Sequence, residues 1–307
     1  MKSKISYIIY GFLLANAIIF IFTKSDTYIA REFSITKYSK YEEEADSKEK
    51  SDNIIINDDE ASDYDYYYND GSVRIAITDV NDRNNNQIYH VADVTISSVE
   101  QFVSLFAYGI YSSNSRQGTS AMAETAGAVF AVSGDFFNQR KTGVIIRNGI
   151  LYRNTTTKKD MLTVDSNGDF SIIPAGENPD GNELINQGIL QAYVFGPAIV
   201  EEGKAVKNVR ETSDYVSKSH PRMLIGQLDT LHYLFVAVDG RKEDASGMTI
   251  YECGELMEKL GCTVAYNLDG GGSSTMVFKG EILNTPSQGS ERAISDCIGI
   301  LGEKYGN

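Results

Sequence analysis

Three apolar segments of this 307-residue sequence end in an aspartate that lies beside a glycine. They read AVSGD at residues 131–135, VAVDG at 236–240 and YNLDG at 266–270. An acidic residue at the end of a buried strand points into a crevice, where binding sites tend to form, and the neighbouring glycine allows a tight turn. We therefore predict that Asp135, Asp239 and Asp269 converge on one crevice, although the pattern alone names no reaction.

The third segment continues into a glycine- and hydroxyl-rich stretch, GGGSST, at residues 270–275. Successive glycines expose backbone N–H groups that can cradle an anion, and the side-chain hydroxyls add further donors. The stretch is not a Walker loop, because no Gly-Lys-Ser/Thr follows the glycines. A flexible turn is the alternative interpretation. The predicted substrate-binding residues in this part of the chain are Asn267, Gly270, Gly271, Gly272, Ser273, Ser274 and Thr275.

Three arginines, Arg222, Arg241 and Arg292, are candidates for binding an anionic group of the substrate. The planar guanidinium suits phosphate, although each of these arginines taken alone is more often structural. Aspartates gathered in one crevice should raise the pKa of at least one carboxyl group. A bound calcium or magnesium ion is the other way to relieve their repulsion, and the sequence implies no other cofactor.

The histidines and cysteines contribute less to the predicted site. His90 and His232 lie in predicted strands and are expected to be structural, whereas His220 lies in a polar turn and is a weaker catalytic candidate than the aspartates. The three cysteines form no CxxC pair, and we expect them to be buried and free. A disulfide between Cys253 and Cys262 is the alternative.

The elements that must position these residues are mostly short strands. Period-two alternation or short apolar runs predict strands at 73–77, 91–96, 128–133, 143–147, 162–164, 170–173, 232–238, 263–268, 275–278 and 293–301. Helical spacing predicts helices at 120–126 and about 249–260. Asn148-Gly149 and Asn167-Gly168 are hairpin signals. Residues 73–307 are therefore predicted to form one α+β domain, a strand-rich mixed sheet with few helices.

The N-terminal quarter of the chain has a different composition. Residues 5–22 contain no charged side chain and follow Lys2 and Lys4, which predicts a transmembrane signal anchor within residues 1–24 and a domain outside the cytoplasm. A cleaved signal peptide is the alternative. Residues 25–72 hold 14 acidic and five basic side chains, which predicts a flexible acidic stalk.

The charge of the whole chain bears on its partners. The formal net charge is −14, and such a protein repels the phosphate backbone of nucleic acids. We therefore expect no nucleic-acid partner, and a polyanionic substrate would need a local basic pocket.

The stretch NLDGGGSST at residues 267–275 resembles the signature of the phosphodiester glycosidase domain family. Further blocks agree in the same order along the chain, so that the resemblance covers about residues 88–301. These blocks are GDFF at 134–137, GVIIRNG at 143–149, FGPAIV at 195–200, PRMLIG at 221–226, DGR at 239–241, SGMT at 246–249, ER at 291–292 and SD at 295–296. The sequence departs from the family pattern at Met223, where threonine is usual, and at Ser133-Gly134, where Asn-Gly is common.

The resemblance implies a hydrolase that cleaves a glycosyl phosphodiester in a phosphate-linked glycan, such as a bacterial teichoic acid, capsule or exopolysaccharide. Because a phosphate leaving group is already acidic, such an enzyme must mainly hold the phosphate and stabilise an oxocarbenium-like centre. The resemblance also implies that an aspartate acts as base or nucleophile; Asp269 and Asp135 are the first candidates for this catalytic role, and Asp239 follows them. A non-catalytic module that binds surface glycan or teichoic acid, or assists polysaccharide assembly, is the alternative function.

Overall fold

The computed structural model describes residues 64–210 and 215–303. The predicted anchor at residues 5–22 and most of the predicted stalk, residues 25–63, lie outside this range. Within it, no helix combines the length and the apolar character needed to span a membrane.

The described residues form three antiparallel sheets. In chain order their strands are β1 (Tyr66–Asn69), β2 (Val73–Asp82), β3 (Gln87–Ile96), β4 (Phe102–Phe106), β5 (Phe130–Ser133), β6 (Ile145–Arg147), β7 (Ile150–Arg153), β8 (Met161–Asp165), β9 (Phe170–Ile173), β10 (Ile189–Tyr193), β11 (Ala198–Glu201), β12 (Lys204–Ala205), β13 (Arg222–Asp229), β14 (His232–Val238), β15 (Val264–Leu268), β16 (Met276–Phe278), β17 (Glu281–Ile282) and β18 (Asp296–Ile300). The eight-stranded sheet has the order β1-β2-β3-β14-β13-β15-β11-β12. The two five-stranded sheets have the orders β7-β6-β10-β8-β9 and β17-β16-β5-β18-β4.

The main hydrophobic core lies where the three sheets face one another. Alternate residues of β2 and β3 point into it, as the period-two pattern predicts, and they meet Phe130 from β5 and Leu162 from β8. Because a single core takes side chains from every sheet, the three sheets hold one another in a fixed arrangement. The strand ends that carry the candidate aspartates are therefore fixed as well.

Three α-helices of the described residues cover the outer surfaces: α1 (Thr119–Ala126), α2 (Gly181–Asn186) and α3 (Ile250–Lys259). Helix α3 begins with a capping box, in which Thr249 and Glu252 bond to each other's backbone amides. It buries Ile250 and Met257 against the outer face of the eight-stranded sheet, which is therefore apolar on both faces. Helices α1 and α3 agree with the two predicted ones, α2 was not predicted, and the strand-rich domain fits the predicted α+β class.

The hairpin signals and the cysteine expectations can be compared directly with the structure. Asn148-Gly149 connects β6 to β7, and both residues have the positive φ angles that a tight hairpin turn requires. Asn167-Gly168 likewise lies between β8 and β9. All three cysteines are buried free thiols, so the alternative of a disulfide between Cys253 and Cys262 is wrong.

The boundary between the stalk and the domain differs from the predicted position at residue 72. Strand β1 pairs antiparallel with β2, and Tyr66 and Tyr68 pack against the main core. Asp70 then accepts backbone hydrogen bonds from Val73 and from Glu303. The acidic composition of the stretch predicted a stalk, but its tyrosine rings supply apolar surface. That surface allows residues 66–69 to pack on the domain as an edge strand.

Candidate active site

The strand ends predicted to carry the site meet at one edge of the eight-stranded sheet. Strand β13 begins at Arg222, beside the last residues of both β14 and β15. Asp239 and Asp269 directly follow those two strands. The backbone N–H of Asp269 donates to the carbonyl of Gly134 at 3.0 Å, which joins this edge to the end of β5. Residues more than 100 positions apart are thus held at one place by main-chain hydrogen bonds.

Asp269 is the candidate with the most perturbed acidity. Its side chain is 7% exposed, and its Oδ2 atom has no hydrogen-bond partner among the described residues. Burial raises the pKa of Asp269 to about 7, although a hydrogen bond from Ser273 and the charge of Arg292 act in the opposite direction. We expected a raised carboxylate pKa from like-charge repulsion; desolvation is the larger cause, and the charge of Asp296 adds to it. Such a carboxyl group can exchange a proton near neutral pH.

Asp135 lies in a buried ion network with Arg147 and Asp296, and all three residues are fully buried. The Nη2 atom of Arg147 is 3.1 Å from Oδ2 of Asp135 and 2.9 Å from Oδ2 of Asp296. Arg140 adds a second ion pair to Asp135, at 2.9 Å. Burial alone would raise the pKa of Asp135, but the charges of Arg140 and Arg147 lower it below the ordinary value. A carboxylate held this way is a poor proton acceptor, which favours a positioning role for Asp135.

Asp296 behaves differently from its partner in this network. Burial and the nearby charge of Asp135 raise the pKa of Asp296, although Arg147 opposes the shift. Its other oxygen, Oδ1, accepts hydrogen bonds from the backbone N–H of Phe136 and from the Ser295 hydroxyl. Asp296 thereby fixes the backbone that carries Asp135.

Sequence reasoning did not select Arg140, Arg147 or Asp296 as site residues. Arg147 ends the apolar strand β6, and an arginine in such a place usually has a buried acidic partner. An arginine at the end of an apolar strand thus indicates a buried acidic partner, but it does not identify that partner, because Asp296 is 149 residues away in the sequence. Arg140 and Arg147 also place positive charge beside the aspartates, where the sequence analysis considered a calcium or magnesium ion as an alternative. No group of three or more His, Cys, Asp or Glu suited to a metal ion occurs within residues 64–210 and 215–303.

Asp239 reaches the same edge of the sheet, but its carboxylate is used to hold a loop. It accepts the backbone N–H of Thr285 at 2.9 Å, and the Lys242 ammonium lies 3.7 Å away. The structure therefore brings the three strand ends together but does not leave the three carboxylates equally free. Asp135 and Asp269 each bury one oxygen without a hydrogen-bond partner among the described residues, but arginine charges lower the pKa of Asp135, whereas the pKa of Asp269 is raised to about 7.

The glycine-rich loop uses one amide of the predicted nest, that of Gly271, to hold its own structure. The N–H of Gly271 donates to the Pro221 carbonyl at 2.8 Å, and the N–H groups of Ser273 and Ser274 bond within the loop. These donors are therefore already occupied. The glycines instead allow close approach, because a Cβ atom on Gly272 would clash with the Arg292 guanidinium.

Two of the three candidate arginines lie over this loop. A Cβ atom on Gly271 would be 3.3 Å from Nη2 of Arg241, and the Arg292 guanidinium occupies the corresponding space at Gly272. Nη1 of Arg292 is also 3.4 Å from the Ser273 hydroxyl. Two guanidinium groups therefore lie over the loop that follows Asp269, and the charge of Arg292 acts on that carboxyl group, an arrangement suited to an anionic phosphate.

Arg222 is fully buried and mainly structural. Its Nε donates to the Met248 carbonyl, and Nη2 donates to the carbonyls of Tyr215 and Lys218. Its remaining nitrogen, Nη1, is buried without a hydrogen-bond partner among the described residues. Burial and the charges of Arg222 and Arg241 lower the pKa of His220, whose ring lies 3.4 Å from Arg241. A neutral imidazole at this position can accept a hydrogen bond from that arginine.

The remaining predicted residues support the loop from beneath. The Ser274 hydroxyl donates to the Arg222 carbonyl at 2.8 Å, and the Asn267 amide donates to the Gly196 carbonyl at 2.8 Å. The Oδ1 atom of Asn267 and the hydroxyl of Thr275 are buried without a partner among the described residues. The other two histidines lie in strands, as expected, and each contacts an aspartate: His90 contacts Asp79, and His232 contacts Asp93.

The fold is that of a phosphodiester glycosidase domain. The family model described as NAGPA, phosphodiester glycosidase, matches residues 126–301, and the chain belongs to this family. It is 29% identical over 232 residues to the SPbeta prophage-derived uncharacterized protein YomE of Bacillus subtilis (strain 168). That match includes 69% of this chain and 36% of the relative, so the chain spans about a third of that protein's length.

Solved structures share the fold at low sequence identity. The catalytic domain of zebrafish N-acetylglucosamine-1-phosphodiester alpha-N-acetylglucosaminidase, auto-inhibited by its pro-peptide, superposes with a TM-score of 0.61 and 19% identity, covering 75% of this chain and 83% of that one. A hypothetical protein from Synechocystis superposes with a TM-score of 0.59 and 14% identity, covering 75% and 62% respectively. These likenesses establish the architecture around the site.

Proposed function

We propose that this protein hydrolyses a glycosyl phosphodiester, a sugar-1-phosphate diester within a phosphate-linked glycan. The observation that carries the proposal is the position of Asp269, a buried carboxyl group with a pKa of about 7 directly before a loop over which two guanidinium groups lie. Membership of the phosphodiester glycosidase family supports the same reaction class.

In the proposed reaction, Arg241 and Arg292 bind the phosphodiester and stabilise the charge that develops on it. The bond between the anomeric carbon and the phosphate oxygen breaks, and its electron pair leaves with the phosphate. Water adds to the anomeric carbon, and Asp269 takes the proton that the water loses. The products are a free sugar and a phosphate monoester, which carries the proton once Asp269 has released it. The phosphate is a good leaving group, so the reaction needs no strong acid on its other side.

We also propose that residues 5–22 anchor the protein in a bacterial membrane, with the catalytic domain outside the cytoplasm. The apolar run behind Lys2 and Lys4 supports this orientation. A cell-surface glycan is then the natural substrate class, and teichoic acid, capsule and exopolysaccharide are members of that class. Protease treatment of intact cells should digest the domain, and a domain that is cleaved only after lysis would contradict this location.

The test of activity uses the full-length chain and a panel of methyl sugar-1-phosphodiesters. We expect at least one member to release free sugar, and Asp269→Asn should lower kcat by about 100- to 10,000-fold. Asp229→Asn is the matched control, because Asp229 is exposed at the opposite end of β13. A parallel assay with EDTA tests whether a divalent cation contributes.

Two results would count against the proposal. Asp269→Asn with turnover near that of Asp229→Asn would remove Asp269 from the catalytic role. Binding of the whole panel without release of sugar would favour the alternative, a glycan-binding or polysaccharide-assembly module that has retained the fold.

A further inference from the structure

Arg292, one of the two arginines over the glycine-rich loop, depends on its own backbone for its position. Its hydrogen bonds to the Ser273 hydroxyl and to the Gln288 amide oxygen are both 3.4 Å long. Such bonds usually measure about 2.7–3.2 Å, so these two contacts hold the guanidinium only weakly. The contacts that fix the loop at residues 285–293 therefore decide where the guanidinium lies.

The loop at residues 285–293 is anchored by backbone groups at both ends. At its start, the N–H of Thr285 donates to the Asp239 carboxylate at 2.9 Å. Just after its end, Ile294 exchanges two backbone hydrogen bonds of 2.9 Å with Gln117. The end of the loop therefore lies alongside the segment that leads into helix α1.

Glu291 adds a side-chain anchor directly beside Arg292. Oε2 of Glu291 accepts the backbone N–H of Ser120 at 3.1 Å, and Oε1 accepts the Ser120 hydroxyl. Ser120 lies in the first turn of α1, where a helix leaves backbone N–H groups without partners inside the helix. Glu291 thus caps a helix from 171 residues away in the sequence, and its negative charge suits the positive end of the helix dipole.

The start of α1 leaves room for this external cap. Its N-cap residue is Gly118, which has no side chain that could cap the helix itself. A Cβ atom on Gly118 would clash with the Glu291 carboxylate, and the three nearest atoms that it would meet all belong to Glu291. Gly118 has a φ of −64°, which any residue can adopt, so the missing side chain provides space for Glu291 and not an unusual backbone conformation.

We propose that Glu291 is a positioning residue, which fixes Arg292 at the phosphate-binding side of the site by tying its backbone to α1. The inference rests on the proposed function and adds the part of the fold that holds the phosphate. Helix α1 is a firm support, because its Met122 and Ala123 side chains are buried in a hydrophobic cluster with residues of β4 and β18. Glu291 faces this helix and acts on the substrate only through Arg292.

Glu291→Ala tests the proposal because it removes both bonds to Ser120 and leaves Arg292 in the chain. On the hydrolysed phosphodiester we expect KM to rise about 3- to 10-fold, since part of a charge-assisted contact is lost. The change in kcat should be smaller, because Asp269 is untouched. Glu291→Gln keeps an oxygen for the Ser120 N–H and should restore most of the affinity. Gly118→Ala should raise KM in the same way, because its methyl group displaces the Glu291 carboxylate.

A double variant shows whether Glu291 acts through Arg292. In an Arg292→Ala background, Glu291→Ala should raise KM no further, because no guanidinium remains to be misplaced. If Glu291→Ala raised KM by the same factor with and without Arg292, the proposed role would be wrong.

Asp180→Ala is the matched control, because Asp180 caps helix α2 by accepting the Asn182 N–H at 2.8 Å. Loss of a cap should lower Tm by about 1–8 °C in both Asp180→Ala and Glu291→Ala. The control should leave KM unchanged. A Glu291→Ala variant that lost Tm like the control and kept its KM would show that Glu291 has only a structural role.

Binding of inorganic phosphate separates this inference from the proposed reaction. Calorimetric titration of the full-length chain with inorganic phosphate needs no turnover. We expect Glu291→Ala and Gly118→Ala to weaken phosphate binding about 3- to 10-fold, and Glu291→Gln to stay near the unmodified protein. Such a result supports the positioning role even where no phosphodiester is hydrolysed. Equal phosphate affinity in Glu291→Ala and the unmodified protein, or no phosphate binding by either, would overturn it.

Discussion

Arg147 offers the sharpest test of how the site is held together. It is fully buried between two carboxylates, and it is the guanidinium that contacts both Asp135 and Asp296. Arg147→Met keeps most of the length and the apolar contacts of the side chain but removes the charge. Removing one partner from a buried ion pair typically costs about 3–5 kcal/mol, because the remaining charge stays buried and uncompensated.

The same estimate can be expressed as a melting temperature. For a domain of this size, 1 kcal/mol corresponds to about 2–4 °C, so Arg147→Met should lower Tm by roughly 6–20 °C at pH 7. The loss should shrink as the pH falls. Without Arg147, the pKa of Asp296 in the folded protein lies even further above its unfolded value. The free-energy cost of burying the ionised Asp296 carboxylate is therefore fully present at high pH. As the pH falls towards 4, Asp296 takes up a proton in the folded state and the cost is relieved.

Thermal melts of the two proteins at pH 7 and pH 5 measure this difference. The control is Arg153→Met, because Arg153 donates to backbone carbonyls, including those of Gly143 and Thr142. Its loss of Tm should be nearly the same at both pH values. Adding Asp296→Asn to Arg147→Met should recover part of the stability at pH 7. A loss of Tm for Arg147→Met that does not depend on pH would refute the reasoning.

Three further outcomes are expected. The kcat/KM of the proposed hydrolysis should rise with pH through about 7, because Asp269 must be ionised to accept a proton, and a profile that is flat from pH 5 to 9 would contradict this role. Gly272→Ala should raise KM at least several-fold with little change in Tm, because the new methyl group displaces only the end of the flexible Arg292 side chain; an unchanged KM would separate Arg292 from phosphate binding. Removing residues 1–63 should leave Tm within a few degrees of its original value, whereas removal through residue 69 should lower it further, because the second truncation deletes strand β1; equal Tm values for both truncations would show that β1 does not stabilise the sheet.

The sequence was informative about local structure and about where the chemistry is concentrated. Period-two alternation located β2 and β3, Asn-Gly pairs located two hairpins, and helical spacing located α3. These features depend on residues close together in the chain, which is why they can be read without the tertiary structure. The same reasoning identified the DGGGSST stretch, and the family match that spans residues 126–301 includes it.

Tertiary structure decided what each candidate side chain can do. Asp135, Asp239 and Asp269 look alike in sequence, each next to a glycine at the end of an apolar strand. One is neutralised by arginines, one is bonded to a loop amide, and one is buried with a pKa of about 7. Their acidity depends on burial and on partners brought in from elsewhere in the chain, which no local pattern records.

The same limit applies to the residues that sequence reasoning missed. Arg147 and Asp296 are separated by 149 residues, and their contact exists only because β6 and β18 belong to different sheets that pack together. Composition and spacing thus determined the class of fold and the neighbourhood of the site. The packing of three sheets determined which carboxyl group is free to react, because only packing sets the distances and the desolvation that govern its charge.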